Sequence, residues 1–300
     1  AKYCADVAEH FIGEGIPVKY ISPVNEPFWV WNGGQEGCHY RPSSCRKVLR
    51  AFVKELDGRK TLDGVRLSGC ENGDIRWFNK SYSRAVLGDP LVRTRLGALD
   101  IHSYCLHMPI PFFNNRMSFL KRFAKWMSKN YPDVPVNMSE WTHMQGGRDK
   151  GMDSALVTAN VMYEDLSVLN VISWQHWIAV SEVNYCDGLI YINLDDKTFE
   201  MTKRYYVTGN FSKYVPTGSV RVDAACDDSE LRLLAFKYDG GCAVIVINST
   251  KKGKELSLPE QYSAVKSAVT DDNNDLREYD IAAPEHIKIT PRSVTTIILR

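Results

Sequence analysis

The sequence predicts an α/β protein: a partial (β/α)8 TIM-type barrel with about five of eight strand-helix units, followed by a C-terminal all-β sandwich. Three observations carry that expectation. Strand and helix signals alternate over roughly the first 200 residues. Five successive strand candidates end in polar and aromatic side chains. After Val215 only short alternating apolar runs remain. We therefore expect residues 1–215 to be the C-terminal part of the barrel and 216–300 the sandwich, with Pro216, Thr217 and Gly218 at the junction.

The chain opens inside an amphipathic helix, because Cys4, Val7, Ala8, Phe11 and Ile12 recur at helical spacing before Gly13 and Gly15. The first strand is "IPVKYISPVNE", whose two-residue period puts Val18, Tyr20, Ser22, Val24 and Glu26 on one face. Pro27 ends it at the carboxylate. A helix over "SCRKVLRAFVKELDG" presents Val48, Leu49, Phe52, Val53 and Leu56 on one side and stops at Gly58. The alternation continues with strand "GVRLSGCEN", a helix over 74–87, strand "ALDIHSYC", a helix over 118–129, strand "VPVNMSEW", a helix over 154–169 and strand "NVISWQHW". "TKRYYVTGNFSKYV" closes the series as a helix. In the β region the runs are "GSVRVDA", "LRLLAFKY", "CAVIVIN", "KELSL", "HIKIT" and "SVTTIIL", with a hairpin turn at Asp239-Gly240-Gly241.

Such alternation suits either a closed barrel or a doubly wound sheet, and the strand ends separate the two. They carry Asn25 and Glu26, then Glu71 and Asn72, then His102 and Tyr104, then Glu140 and Trp141, then Trp174, His176 and Trp177. A doubly wound sheet binds ligand at a switch point, whereas a barrel opens every strand end on one face. Five decorated ends favour the barrel. Glu26 and Glu140 stand three units apart, so they face each other across its mouth. The same period gives Glu140 the inward parity of Val136 and Met138.

Composition narrows the chemistry. The 37 basic and 36 acidic residues leave a net charge of +1, and no basic run is interleaved with aromatics, so nucleic acid is not an expected partner. No apolar run approaches the roughly 20 residues of a membrane span. The eight cysteines form no Cys-x-x-Cys pair and have no histidine at ligand spacing, so a structural zinc site is not expected and nothing at ligand spacing asks for another metal. No cofactor is expected either, because the chemistry of the paired carboxylates needs only themselves and water. Several lie in apolar strands as candidate free thiols, while Cys38 and Cys45 share one region where a bridge is admissible. Four Asn-x-Ser/Thr sequons, at Asn79, Asn137, Asn210 and Asn248, decide nothing about compartment.

Two carboxylates across a sugar define a mechanism: one attacks the anomeric carbon while the other protonates the leaving oxygen, at a separation of about 5 to 5.5 Å in the retaining case. Trp29, Trp31, Trp141, Trp174 and Trp177, five of the seven tryptophans, stand near the same strand ends and offer apolar faces to sugar rings. Taken singly these residues have plainer roles. A glutamate at a strand end is usually solvated, Glu71 reads as a supporting partner or a substrate contact, His102 and Tyr104 as satisfied core groups, and the tryptophans as packing. Asn-Glu-Pro and Ser-Glu-Trp three units apart make the more specific conjunction.

The stretches "SPVNEPFWVWNGGQEGC", "DIHSYC", "NMSEW" and "KRYYVTGNFSKYVPTGSVRV" together resemble glycoside hydrolase family 30, in particular its endo-β-1,6-galactanase-like branch. The resemblance implies a (β/α)8 barrel with an attached sandwich and retaining hydrolysis of β-glycosides. It assigns Glu26 as acid/base and Glu140 as nucleophile, with Asn25 on the sugar 2-hydroxyl, Tyr104 on the nucleophile, and His102 and Trp177 lining the pocket. It also implies that the Asn-Glu-Pro strand is the fourth of eight, so on the order of 100 residues or more of barrel are expected upstream of Ala1. The expected partner is a polysaccharide or oligosaccharide, and the expected location is secreted or cell-envelope. Other readings keep the mechanism on xylan, β-1,6-glucan or a β-glucoside, or make the chain a non-catalytic carbohydrate binder.

Overall fold

Five strands run parallel in chain order in the first part of the molecule, each followed by helix or loop. The computed structural model describes residues 1–34, 36–105, 115–258 and 262–300. Its contacts divide into two units, Ala1–Trp141 with Glu164–His176, and Thr142–Tyr163 with Trp177–Arg300.

In the first unit a curled parallel sheet has the order β1 (Tyr20–Ile21), β2 (Arg66–Asn72), β3 (Leu96–His102), β4 (Val136–Trp141) and β5 (Ser173–His176). The helices are α1 (Lys2–Gly13), α2 (Pro42–Asp57), α3 (Trp77–Leu87), α4 (Pro90–Arg95) and α5 (Arg116–Asn130). Helix α2 starts on Pro42, which is tolerated at the first position because its missing N–H would have no helical partner. It buries Cys45, Leu49, Phe52, Val53 and Leu56 in a core shared with Leu67 and Cys70 of β2. Helix α4 was not anticipated. Gly88 stops α3, and Asp89 restarts the chain by capping the N–H groups of Leu91 and Val92 ahead of Pro90.

The first strand is shorter than its alternation suggests: the ladder ends at Ile21, because Pro23 and Pro27 flank the segment that follows and neither can donate to it. The helix expected over 154–169 also splits. Helix α6 (Met152–Glu164) gives way to a π-helical turn at Asp165–Leu169, and Asn170 closes it at φ 52°.

The second unit holds α6, a three-stranded sheet of β6 (Val180–Ser181), β7 (Ile190–Asn193) and β8 (Thr198–Met201), helix α7 (Lys203–Ser212) and the β region. The three-stranded sheet escaped the sequence reading because its strands are very short and β8 is exposed throughout. The β region is one antiparallel six-stranded sheet, β14-β13-β16-β11-β10-β9, with a separate ribbon β12-β15. Its strands are β9 (Val220–Val222), β10 (Leu231–Tyr238), β11 (Gly241–Asn248), β12 (Lys254–Leu256), β13 (Ala264–Thr270), β14 (Arg277–Asp280), β15 (Ile287–Ile289) and β16 (Ser293–Leu299). Leu256, Ile287 and Ile289 of the ribbon pack with Leu231, Val244, Val246 and Ile297 of the large sheet. The β10-β11 turn needs Gly240 at φ 84°, as its hairpin signal implied.

The eight cysteines form no disulfide, so the admissible Cys38–Cys45 bridge is not made; Cys45 is buried on α2 and Cys38 donates its thiol to the Asn25 carbonyl. The four sequon asparagines are all buried. Asn210 Nδ2 donates to the Ala268 carbonyl and Asn248 Nδ2 to the Thr290 carbonyl, so these amides are already committed inside the fold.

Candidate active site

The polar residues meet at the C-terminal ends of β1 to β4, and the sheet breaks register at its β2-β3, β3-β4 and β4-β5 pairings. Between β2 and β3 the ladder shifts at Glu71, between β3 and β4 it shifts so that His102 faces Glu140, and between β4 and β5 it shifts between Met138 and Trp141. A bulge re-aims the side chain that carries it. That overturns the parity expected for Glu140. Met138 and Val136 are buried opposite Ile101 and Leu99, while Asn137 bonds Asp100 and Ser139 bonds Glu71. Glu140 reaches His102 and Tyr104 because the bulge turns it out of the phase of Met138.

Glu26 owes its aim to backbone strain rather than strand parity. Its φ is 43° and that of Glu71 is 50°, the left-handed region where a residue with a Cβ stands at a disadvantage of about 1–3 kcal/mol. The two backbones are tied, the Glu26 N–H donating to the Glu71 carbonyl at 2.9 Å. Gly73 then allows a close approach: a Cβ there would lie 2.5 Å from both Glu26 Oε1 and Trp29 Nε1.

At the centre is His102, 1 % exposed, with Nδ1 2.9 Å from Glu26 Oε1 and 3.7 Å from Glu140 Oε1, and Nε2 3.2 Å from Glu71 Oε2. One oxygen each from Glu26 and Glu140 and a ring nitrogen of His102 all lie within 4.8 Å of one another. Carboxylates at both ring nitrogens select the doubly protonated imidazole, since only that form donates from both. Burial opposes the charge, but the Glu26 and Glu71 hydrogen bonds and the nearby Glu140 charge outweigh it and hold His102 up to about 9. A metal between these carboxylates would have to displace that proton. Among the described residues no other group of three such side chains converges.

Glu140 lies above the ordinary carboxylate value, chiefly through burial and further through the Glu26 charge, against the pull of His102 and the Tyr104 hydroxyl at 3.3 Å. Glu71 lies below it: burial acts upward, yet the bond and charge of His102 and the hydroxyls of Ser139 and Ser22 prevail. Behind them Asp100 is pushed up to about 7, first by burial and then by the Glu71 charge, although Ser68 and Asn137 bond it.

The structure brings together Glu26, Glu71, His102, Tyr104 and Glu140. Asn25 is exposed beside Glu26 and Trp29 is half-buried over Gly73. Trp141 is buried between Tyr104 and Trp174, with ring centroids at 6.5 and 6.1 Å, so its face is spent on packing rather than open to a ligand. Trp174 donates its indole N–H to the buried Asp165 at 3.0 Å. Trp177 begins the second unit and is 51 % exposed. Ser22, Ser139 and Gly73 were missed as site residues; only their position beside the decorated strand ends marks them in the sequence. Gln35, within one of the family-like stretches, lies outside the described residues.

A family model described as O-Glycosyl hydrolase family 30 matches residues 1–89 and 114–191. The chain is 23% identical over 207 residues to lysosomal acid glucosylceramidase of Mus musculus, covering 62% of this chain and 37% of that one. It is 23% identical over 282 residues to an endo-beta-1,6-galactanase of Hypocrea rufa, covering 89% and 51%. Among solved structures, a conserved exported protein from Bacteroides fragilis superposes with a TM-score of 0.85 at 20% identity, over 99% of this chain and 68% of that one. The chain thus spans about half or less of the curated relatives' length.

Proposed function

This chain belongs to O-glycosyl hydrolase family 30, and on that premise we propose that it carries the reaction centre of a retaining β-glycan hydrolase acting on β-1,6-linked galactan. The observation that carries the proposal is the approach of Glu26 and Glu140 oxygens to within 4.8 Å. Retaining enzymes hold their carboxyls about 5 to 5.5 Å apart, inverting ones about 6.5 to 9.5 Å, with room for a water.

In the proposed reaction Glu140 attacks the anomeric carbon and Glu26 gives a proton to the departing oxygen. A covalent glycosyl ester forms on Glu140. Glu26 then takes a proton from water, which releases the sugar with its configuration retained. The two carboxyls sense each other, the Glu26 charge helping to hold Glu140 above its ordinary value. Surroundings alone do not assign the roles: His102 faces Glu26, Tyr104 faces Glu140, and burial holds Glu140 above its ordinary value, which by itself would suit an acid. Motif position assigns them, Asn-Glu-Pro marking the acid/base and Ser-Glu-Trp the nucleophile. Asn25, exposed beside Glu26, is proposed to bond the sugar 2-hydroxyl, with Trp29 as a sugar-facing aromatic.

The same reading includes the division into a barrel segment, 1–215, and a sandwich, 216–300, supported by the ribbon packed on the six-stranded sheet. A secreted or cell-envelope location is supported by the likeness to an exported protein. The test is Glu140→Gln assayed against a panel of linkage-defined β-glycans. We expect β-1,6-galactan hydrolysis to fall by about 1,000-fold or more while oligosaccharide binding persists. Unchanged turnover removes the nucleophile assignment. Turnover of only xylan, β-1,6-glucan or a β-glucoside moves the substrate. Binding without turnover by the unmutated protein favours a carbohydrate-binding role.

A further inference from the structure

Glu71 is the most heavily bonded carboxylate of the cluster. Its Oε1 accepts from Ser22 Oγ at 2.6 Å, and its Oε2 accepts from Ser139 Oγ and faces His102 Nε2 at 3.2 Å. Its carbonyl accepts the Glu26 N–H. Through these contacts one residue on β2 links the segment after β1 to β3 and β4. Its side chain is 12% exposed, and its oxygens already hold three partners, so little acceptor capacity remains for a sugar hydroxyl. Ser139 Oγ also lies 3.3 Å from the Ile101 carbonyl, an alternative acceptor for its single proton.

Resting on the hydrolase reading above, we propose that Glu71, braced by Ser22 and Ser139, is a positioning residue: it fixes the His102 ring so that Nδ1 faces Glu26 and Glu140, and it does not contact substrate. A histidine ring in a polar pocket has two flipped orientations and two neutral tautomers. A carboxylate fixed at Nε2 selects one orientation with a proton on both nitrogens. The ring then stands as a cation at neutral pH beside the reacting pair. Its charge favours the ionised form of Glu140, the carboxyl that attacks. The charged or titratable groups around His102 are Glu26 beyond β1, Glu71 on β2, Tyr104 after β3 and Glu140 on β4, with Asp100 on β3 behind Glu71. Removing the Glu71 charge leaves the others in place.

The experiment is Glu71→Gln in the protein as it stands, followed by the nitrogen resonances of the His102 imidazole through a pH titration. This readout needs no turnover, so it is decided even if the hydrolase reading fails. We expect His102 to lose its proton at least about one pH unit lower than in the unmutated protein. An unshifted titration overturns the proposal. With a competent substrate, kcat should fall about 10- to 100-fold with KM within about twofold. A raised KM with kcat intact would make Glu71 a substrate contact and overturn it as well. If Glu71→Gln does not fold, the unmutated protein decides: both ring N–H protons of His102 should give downfield resonances protected from water, and absence of the Nε2 proton overturns the proposal.

Discussion

Glu26 and Glu71 both take left-handed backbone, joined to each other by one hydrogen bond, and no pattern of residue types announces that geometry. The sequence shows that these carboxylates occur at strand ends; it does not show how they are aimed. Gly73 makes the point testable. Its own φ is not positive, so a side chain there meets no backbone penalty, only the Glu26 carboxylate and the Trp29 indole at 2.5 Å. Gly73→Ala should therefore leave the melting temperature within a few degrees while kcat/KM falls about 10- to 100-fold, because an ångström of displacement at a reacting group is that damaging. Steady-state kinetics beside a thermal melt check it, and intact kcat/KM would mean that the carboxylate is free to move. Ser22 and Ser139 show the same limit: a serine in or just past a strand is unremarkable until its neighbour across the sheet is known.

Elements were more legible than aim. Helix α2, strands β2 to β4 and the β10-β11 hairpin follow directly from periodicity and turn residues, because burial of one face leaves a regular trace. The short strands β6 to β8 and the exposed β14 leave none. Tertiary ties invisible to periodicity also set element ends. Arg116, at the start of α5, pairs with Glu164 and with Asp165 in the π turn, while Ser103 after β3 and the Trp174 indole donate to the same Asp165. Asp165 is fully buried. Arg116→Met should leave that carboxylate without its cation and destabilise the fold by about 3–5 kcal/mol, read from urea unfolding. Adding Asp165→Asn should restore part of the loss, since the amide keeps the Ser103 and Trp174 contacts without a buried charge. A double variant no more stable than the single one would assign the loss to helix packing instead.

At the scale of the molecule, near-equal numbers of acidic and basic residues keep the net charge small, +1 at neutrality, so general charge repulsion contributes little to how stability varies with pH. The buried cluster should then govern it. His102 titrates near 6.5 in an unfolded chain and at about 9 here, so its contribution is complete below pH 6.5 and disappears as pH rises through 9. For a side chain this buried the loss is on the order of 3 kcal/mol. Asp100 acts in the same direction at lower pH: its preference for the neutral form favours the fold below 3.8, and that advantage is lost as pH rises through about 7. Glu71, held below its ordinary value, opposes both only on the acid side, where protonating it breaks its bonds to His102, Ser139 and Ser22. Urea midpoints should thus decline from pH 6 to pH 9.5, and His102→Asn should flatten that decline even though it lowers stability at pH 6. An equal slope in the variant would move the origin of the pH dependence out of the cluster. A flattened one would mean that the polar centre joining β1 to β4 stabilises the sheet as well as arming it, so the charge that aims the proposed reacting pair also limits the pH range over which the barrel segment holds together.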